Sequence, residues 1–296
     1  MDFKNITVAG SGVLGSQIAF QTAFHGYNVS VYDINEEALV KAKERLASLK
    51  EVYANFFKDA EKAEETLGRF TFSSNLAEAV KDADLVIEAI PEIVAIKKSF
   101  YEELAKVAPE KTIFASNSST MVPSQFADYT GRPEKFLALH FANEVWEKNT
   151  AEIMGHAGTD ESIAQQVIEF AKSIGMIPLH VKKEQPGYIL NSLLVPFLSA
   201  GQGLWATGVA DPETIDKTWM IATGAPMGPF AILDVVGIQT AYNIVLAQAQ
   251  ADPTKQPLAD MLKSQFLDQG KTGQGTGEGF YKYPNPRYLD ADFLKA

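Results

Sequence analysis

Residues 6–20 read ITVAGSGVLGSQIAF: a β-branched apolar run, glycines at 10, 12 and 15, then a helical pattern. This strand-turn-helix order with GxGxxG spacing restricts the fold more than any other feature. The first glycine permits a tight turn, the second lets a pyrophosphate approach the backbone, and the third lets helix and strand pack closely. The free N–H groups at the helix start, around Val13 and Leu14, then face an anion with the helix dipole behind them. Asp33, at the end of the second strand-like run in VSVYDIN, is placed to accept hydrogen bonds from adenosine ribose hydroxyls. A carboxylate there repels a 2′-phosphate, and Ile34, Asn35, Glu36 and Glu37 offer no arginine to receive one. NAD(H) is therefore the expected cofactor. The competing reading is that Asp33 only caps the next helix.

The first half alternates short apolar runs with helical patterns: strands near NITVAG, NVSVYD, DLVIEAI, TIFAS and FLALHFA, and one or two long polar helices from Glu37 to Leu67. That rhythm predicts βαβ units in a doubly wound, mostly parallel sheet covered by helices on both faces. After the strand-like MIPLHVKK, Pro186 and Gly187 break the pattern, and only helical periodicity and turns follow. The expected domains are 1–186, α/β, and 187–296, all helical. Gly270, Lys271 and Thr272 imitate the end of a second type of phosphate loop, but Gln265 stands where that pattern needs glycine and no strand precedes it.

The net charge of −11 is spread along the chain, which argues against nucleic acid or anionic membranes as partners. A small molecule fits better. Zero cysteines exclude disulfides, thiol catalysis and cysteine-bound metal. With no signal-like start and no apolar run near the roughly 18 residues of a membrane span, the expected location is the cytoplasm.

Residues 139–152, LHFANEVWEKNTAE, suggest chemistry. If strands at 136–142 and 150–154 pair as an antiparallel hairpin centred on Trp146, His140 and Glu152 lie opposite each other on one face. A carboxylate there would fix the imidazole tautomer and stabilise the imidazolium, making the other ring nitrogen a general base. A satisfied sheet histidine beside a surface glutamate is the alternative, and spacing leaves both open. Of the other histidines, His25 fits the C-terminal turn of the first helix, where a cation is favoured, His156 lies in a loop and His180 in a strand. No spacing suggests a metal site.

In order along the chain, GSGVLGSQIAF, DADLVIEAIPE, TIFASNSST, LALHFAN, PGYILNSLLVP, GAPMGPFAILDVVG and GEGFYKY resemble the L-3-hydroxyacyl-CoA dehydrogenase family over essentially the whole sequence. HFANEVW and KNTAEIMG are most similar to the branch that includes enzymes described as diketoreductases. The resemblance implies a Rossmann domain, a helical second domain and pairing of subunits into a homodimer. It implies that His140 takes the proton of a substrate 3-hydroxyl while C3 passes hydride to the nicotinamide, and that Glu152 orients it. By the same resemblance Ser119 binds the substrate oxygen and Asn191 holds that region from the second domain. Glu92 and Lys97 contact the cofactor near the nicotinamide ribose, and Asn117, beside Ser119 in the same loop, is expected to touch the cofactor or the substrate. A non-catalytic NAD-binding scaffold, for which lens-crystallin relatives of the family are a precedent, is the rival from another class. Retention of Ser119, His140, Glu152 and Asn191 together argues against it.

Two departures from the family pattern bear on substrate. The proline-containing NPxPxMKLVE segment is replaced by residues 143–150, NEVWEKNT, with Asn149 where a lysine usually stands. Asn143 and Trp146 are therefore expected at the substrate pocket. Residues 51–65 carry five acids, Glu51, Asp59, Glu61, Glu64 and Glu65, against Lys58 and Lys62, an awkward face for a phosphorylated pantetheine tail. The leading substrate is a short 3-hydroxyacyl-CoA. A free β-keto or β,δ-diketo compound, or a CoA-free hydroxy acid, is the runner-up.

Overall fold

The structure, a computed structural model, describes residues 3–295. The chain divides into two compact units, Met1–Asn191 and Ser192–Ala296, so the division falls five residues beyond the expected Pro186. The first unit contains β1 (Asn5–Ala9), α1 (Val13–Phe24), β2 (Asn28–Tyr32), α2 (Glu36–Phe57), α3 (Ala60–Thr66), β3 (Phe70–Ser73), α4 (Leu76–Val80), β4 (Leu85–Glu88), α5 (Val94–Val107), β5 (Ile113–Ser116), β6 (Phe136–Phe141), β7 (Thr150–Met154), α6 (Glu161–Ser173) and β8 (Ile177–Val181). Its eight strands run β3-β2-β1-β4-β5-β6-β7-β8. Every pairing is parallel except β6 with β7, which form the expected antiparallel hairpin. Strand order reverses direction between β1 and β4, and in open α/β sheets the crevice beyond the strand ends at such a point is where ligands bind.

The polar stretch after Asp33 becomes two helices because Lys58 takes a left-handed φ of 57° that ends α2. Asn35 accepts the Ala38 N–H at its start, and Leu39, Ala42, Leu46, Leu49 and Tyr53, spaced three and four apart, form the buried stripe. The unanticipated β3 is a four-residue edge strand paired on one side only, too short for a period-two pattern to reveal.

Alternation along β6 assigns the two faces of the sheet. Leu137, Leu139 and Phe141 join the larger core against residues of α1, α2 and α6. Phe136 joins the opposite core with residues of α4 and α5, and Ala138 packs with Met154, Val181 and Tyr188.

In the second unit, α7 (Leu190–Ala206), which starts at the last residues of the first, is followed by α8 (Pro212–Thr223), α9 (Pro229–Val236), α10 (Ile238–Ala251) and α11 (Gln256–Gln265). The all-helical expectation needs one correction: isolated β-bridges join Gly273 to Glu278 and Glu278 to Lys282. Those turns are tied down by a buried carboxylate. Asp234 accepts the N–H groups of Phe280 and Tyr281 and the Tyr283 hydroxyl, and a Cβ at Gly279 would lie 2.1 Å from its Oδ1. Asp216 does the same for the start of α9, accepting the N–H groups of Phe230 and Ala231 and the Tyr281 hydroxyl. Among the described residues, no single helix is long and apolar enough to cross a membrane.

Candidate active site

The β1–α1 turn has the geometry that its glycines require. Gly10 has φ +99°, and a Cβ on it would lie 2.4 Å from the Ala89 carbonyl oxygen; a Cβ on Gly15 would lie 1.9 Å from the oxygen of Gly10. Gly12 differs, because a Cβ there meets nothing within 4 Å. Its outer face opens on a groove of about 900 Å³ lined by Gly10, Gly12, Asp33, Ile34, Ile90 and Glu92 among others. Gly12 also N-caps α1 without a side-chain cap, so the N–H groups of Val13, Leu14 and Gly15 begin a helix whose first turn has no internal acceptor. This cradle fits a dinucleotide pyrophosphate. Asp33 lines the same groove and accepts from Ser11 and Ile34, and it is Asn35 that caps α2, which removes the competing reading of Asp33.

Across the sheet, β6 and β7 pair with His140 directly opposite Glu152. Nδ1 of His140 lies 2.9 Å from Oε2 of Glu152, and both residues are buried. The other oxygen, Oε1, accepts the N–H groups of Ile189 and Leu190 at 2.8 and 3.0 Å. These donors are presented by consecutive left-handed residues, Gly187 at φ 78° and Tyr188 at φ 56°. Burial pushes the Glu152 carboxyl up, but the bonds from His140, Leu190 and Ile189 outweigh it and leave its pKa below the usual value. An ionised Glu152 requires Nδ1 of His140 to carry the proton, which leaves Nε2 as the open lone pair. Tyr188, buried on the same face, stacks on the imidazole with ring centres 4.8 Å apart and fixes its plane.

The remaining expected residues meet in the loop after β5. Asn191 Nδ2 donates to the Ser119 carbonyl at 3.1 Å, and the Ser119 N–H donates to Glu92 Oε1 at 2.6 Å. Asn191 is the last residue of the first compact unit, near the start of α7. None of the hydrogen bonds among the described residues uses the Ser119 hydroxyl. Asn117 accepts the Phe141 N–H through Oδ1, tying this loop to the strand that carries His140.

Two expectations are revised. Lys97 does not present its charge to the groove: it is 1% exposed, and Nζ lies 2.5 Å from Glu88 and 3.4 Å from Glu92. It acts by holding Glu92, which lines the groove. Trp146 packs on the larger core, edge-on to Tyr53 of α2 with ring centres 5.7 Å apart. That core lies on the face of the sheet opposite His140, so the packed side of Trp146 is turned from the imidazole. Asn143 is exposed in the turn after β6.

Glu88 is the residue that sequence reasoning missed. Fully buried at the end of β4, it accepts from Lys97, from the Tyr101 and Ser116 hydroxyls and from the Ile90 N–H. The acid in the run DLVIEAI was itself a signal, because a carboxylate inside a buried strand needs partners. Among the other histidines, burial first of all pushes the His25 pKa down, against the charge favoured at the C-terminal turn of α1. No cluster of three metal-ligating side chains occurs among the described residues.

Residues 5–185 match the family described as 3-hydroxyacyl-CoA dehydrogenase, NAD binding domain, and residues 187–283 its C-terminal domain. The mitochondrial hydroxyacyl-coenzyme A dehydrogenase of Sus scrofa is 37% identical, covering 95% of this chain and 91% of its own. A probable 3-hydroxybutyryl-CoA dehydrogenase of Bacillus subtilis is 34% identical over 96% of this chain and 98% of its own. Among solved structures, a diketoreductase described for dual catalysis of dicarbonyl compounds is 56% identical with a TM-score of 0.92, covering 96% of this chain and 100% of its own. A glycine turn built for a pyrophosphate, a buried histidine-glutamate pair on adjacent strands and these matches along nearly the whole sequence agree: the chain belongs to the 3-hydroxyacyl-CoA dehydrogenase family and is an NAD-dependent oxidoreductase.

Proposed function

We propose that the protein interconverts a short L-3-hydroxyacyl-CoA and the corresponding 3-ketoacyl-CoA. The observation that carries this reading is the His140–Glu152 pair with Ser119 and Asn191 joined in the adjacent loop. NAD, when bound, supplies or accepts the hydride; Gly10, Gly12, Gly15 and the N–H groups of Val13 and Leu14 would hold its pyrophosphate, and Asp33 its adenosine ribose. In oxidation, His140 Nε2 takes the proton of the 3-hydroxyl. In reduction it returns that proton to the ketone oxygen. Glu152 keeps the Nδ1–H tautomer and stabilises the imidazolium that forms between the two states. The Ser119 hydroxyl donates to a ketone oxygen and accepts from an alcohol, so one side chain serves both directions. Asn191 holds the Ser119 backbone.

Reduction of a free β-keto or diketo compound by the same residues is the second reading, favoured by the 56% identity to a diketoreductase. Steady-state NADH oxidation with acetoacetyl-CoA beside a matched free β-keto ester separates the two. A much larger kcat/KM for the thioester means that CoA binding energy is used in catalysis; absence of saturable turnover with it overturns the first reading in favour of the second. The proposal includes a homodimer. It is supported by large apolar side chains exposed on the helical unit, Leu193 at 69%, Val209 at 67% and Ile221 at 59%, and is tested by sedimentation equilibrium.

A further inference from the structure

Ser11, between the first two glycines, is 1% exposed, and all three of its polar groups are engaged. Its N–H and its hydroxyl both end on Oδ2 of Asp33, at 2.8 and 2.5 Å. The hydroxyl also lies 3.4 Å from the Ala38 carbonyl, but it has one proton, and the shorter, charge-assisted bond to the carboxylate takes it. The Ser11 carbonyl accepts from the Ser16 hydroxyl at 3.0 Å and from Arg45 Nη1 at 3.1 Å. Three places in the chain, Asp33, α1 and α2, thus converge on one serine of the glycine turn.

A carboxylate has about four lone-pair positions. Ser11 takes both on Oδ2, and the Ile34 N–H takes one on Oδ1 at 2.9 Å. What remains is a single acceptor position on Oδ1, in a carboxylate that cannot rotate without breaking three hydrogen bonds. Arg45 donates through Nη1 to the Ser11 carbonyl and forms no ion pair among the described residues, so it ties α2 to the turn.

We propose that Ser11 is a positioning residue that sets cofactor specificity: it holds Asp33 with one oxygen presented to an adenosine ribose hydroxyl and prevents the carboxylate from swinging aside for a 2′-phosphate. This rests on the reading that Asp33 receives the ribose. A glycine or alanine at position 11 would keep the fold of the turn and the two backbone bonds to Asp33, from the N–H groups of residues 11 and 34, but remove the hydroxyl bond and leave the carboxylate freer to turn about its side chain.

The test is equilibrium titration of NADH and NADPH, by protein or nicotinamide fluorescence, against the full-length protein and the variants Ser11→Ala, Ser11→Thr and Asp33→Ala. Ser11→Ala is expected to weaken NADH by about tenfold, the loss of one hydrogen bond to a charged group, while NADPH changes little, so that the preference for NADH shrinks by the same factor. Ser11→Thr keeps the hydroxyl and is expected to retain the wild-type preference. If Asp33→Ala leaves NADH binding intact, the ribose reading of Asp33 fails and the proposal with it. If Asp33→Ala abolishes the preference but Ser11→Ala retains it, or if Ser11→Ala weakens both nucleotides equally, Ser11 only shapes the loop and the proposal alone is overturned.

Discussion

His140 Nδ1 and Glu152 Oε2 stand 2.9 Å apart across an antiparallel strand pair, while the other oxygen of Glu152 is held by two backbone N–H groups where α7 begins. The dyad is thus fixed from both ends, by the sheet and by a helix start. Replacing His140 by Ala should lower kcat by roughly 10²-fold or more with NADH affinity little changed. Glu152→Gln places an amide donor against Nδ1, moves the ring proton to Nε2 and should lower kcat by about 10³-fold. Steady-state kinetics with a ketone substrate, alongside NADH titration, check both. Because the folded Glu152 pKa lies below its ordinary value, the stabilisation from this carboxylate is present above the ordinary value and is lost as pH falls through the lower folded one. A Glu152→Gln variant whose stability falls with acid as steeply as that of the wild type would contradict this arrangement.

The three glycines of the turn should respond differently to the same substitution. Gly15→Ala drives a methyl group to 1.9 Å from the Gly10 oxygen and should destabilise the first unit by about 3 kcal/mol or more. Gly12→Ala meets no protein atom within 4 Å, so its thermal midpoint should stay near that of the wild type. Its methyl group occupies the space where the pyrophosphate must approach, and the NADH dissociation constant should rise tenfold or more. Calorimetry and NADH titration of the two variants decide the matter: a Gly12→Ala protein that binds NADH normally would place the phosphates elsewhere.

Glu88 and Lys97 form a buried pair in which Glu88 is 0% and Lys97 1% exposed. Removing Glu88 leaves the buried Lys97 with only the longer contact to Glu92 and the Tyr101 and Ser116 hydroxyls without their acceptor, so Glu88→Ala should cost about 3 kcal/mol. Urea unfolding reads this as a lowered midpoint. A loss below about 1 kcal/mol would show that the pair is not what anchors Glu92, which accepts the Ser118 hydroxyl and the Ser119 N–H.

In the helical unit, burial pushes the Asp234 pKa up to about 6, against the pull of its bonds from Phe280, Tyr281 and Tyr283. A carboxyl that binds its proton more tightly folded than unfolded stabilises the fold as pH falls, here between about 6 and the ordinary value near 3.8. The contribution to the thermal midpoint from this group should therefore rise on going from pH 7 to pH 5. Asp234→Asn removes the titration and should flatten that part of the profile, at the cost of one lost backbone acceptor. An unchanged slope in the variant assigns the pH dependence to other groups.

Local patterns along the chain sufficed for the strands of the sheet other than β3, for the glycine turn and for a register that could place 140 opposite 152, since strand alternation, turn glycines and a hairpin midpoint are all properties of neighbouring residues. The same patterns already showed that Asp33 ends a strand. They were silent on what depends on residues far apart in sequence. Trp146 sits next to the candidate site in the sequence, yet it packs on the larger core against Tyr53, 93 positions earlier. Lys97 carries a charge that reads as a ligand contact until Glu88, brought beside it by the β4–α5 turn, neutralises it inside the core. The hold on Asp33 by Ser11 and on Glu152 by the N–H groups of residues 189 and 190 likewise exists only once strands and helices from separate parts of the chain meet. Sequence periodicity chooses which residues are buried; only the assembled fold decides which polar groups, once buried, satisfy one another.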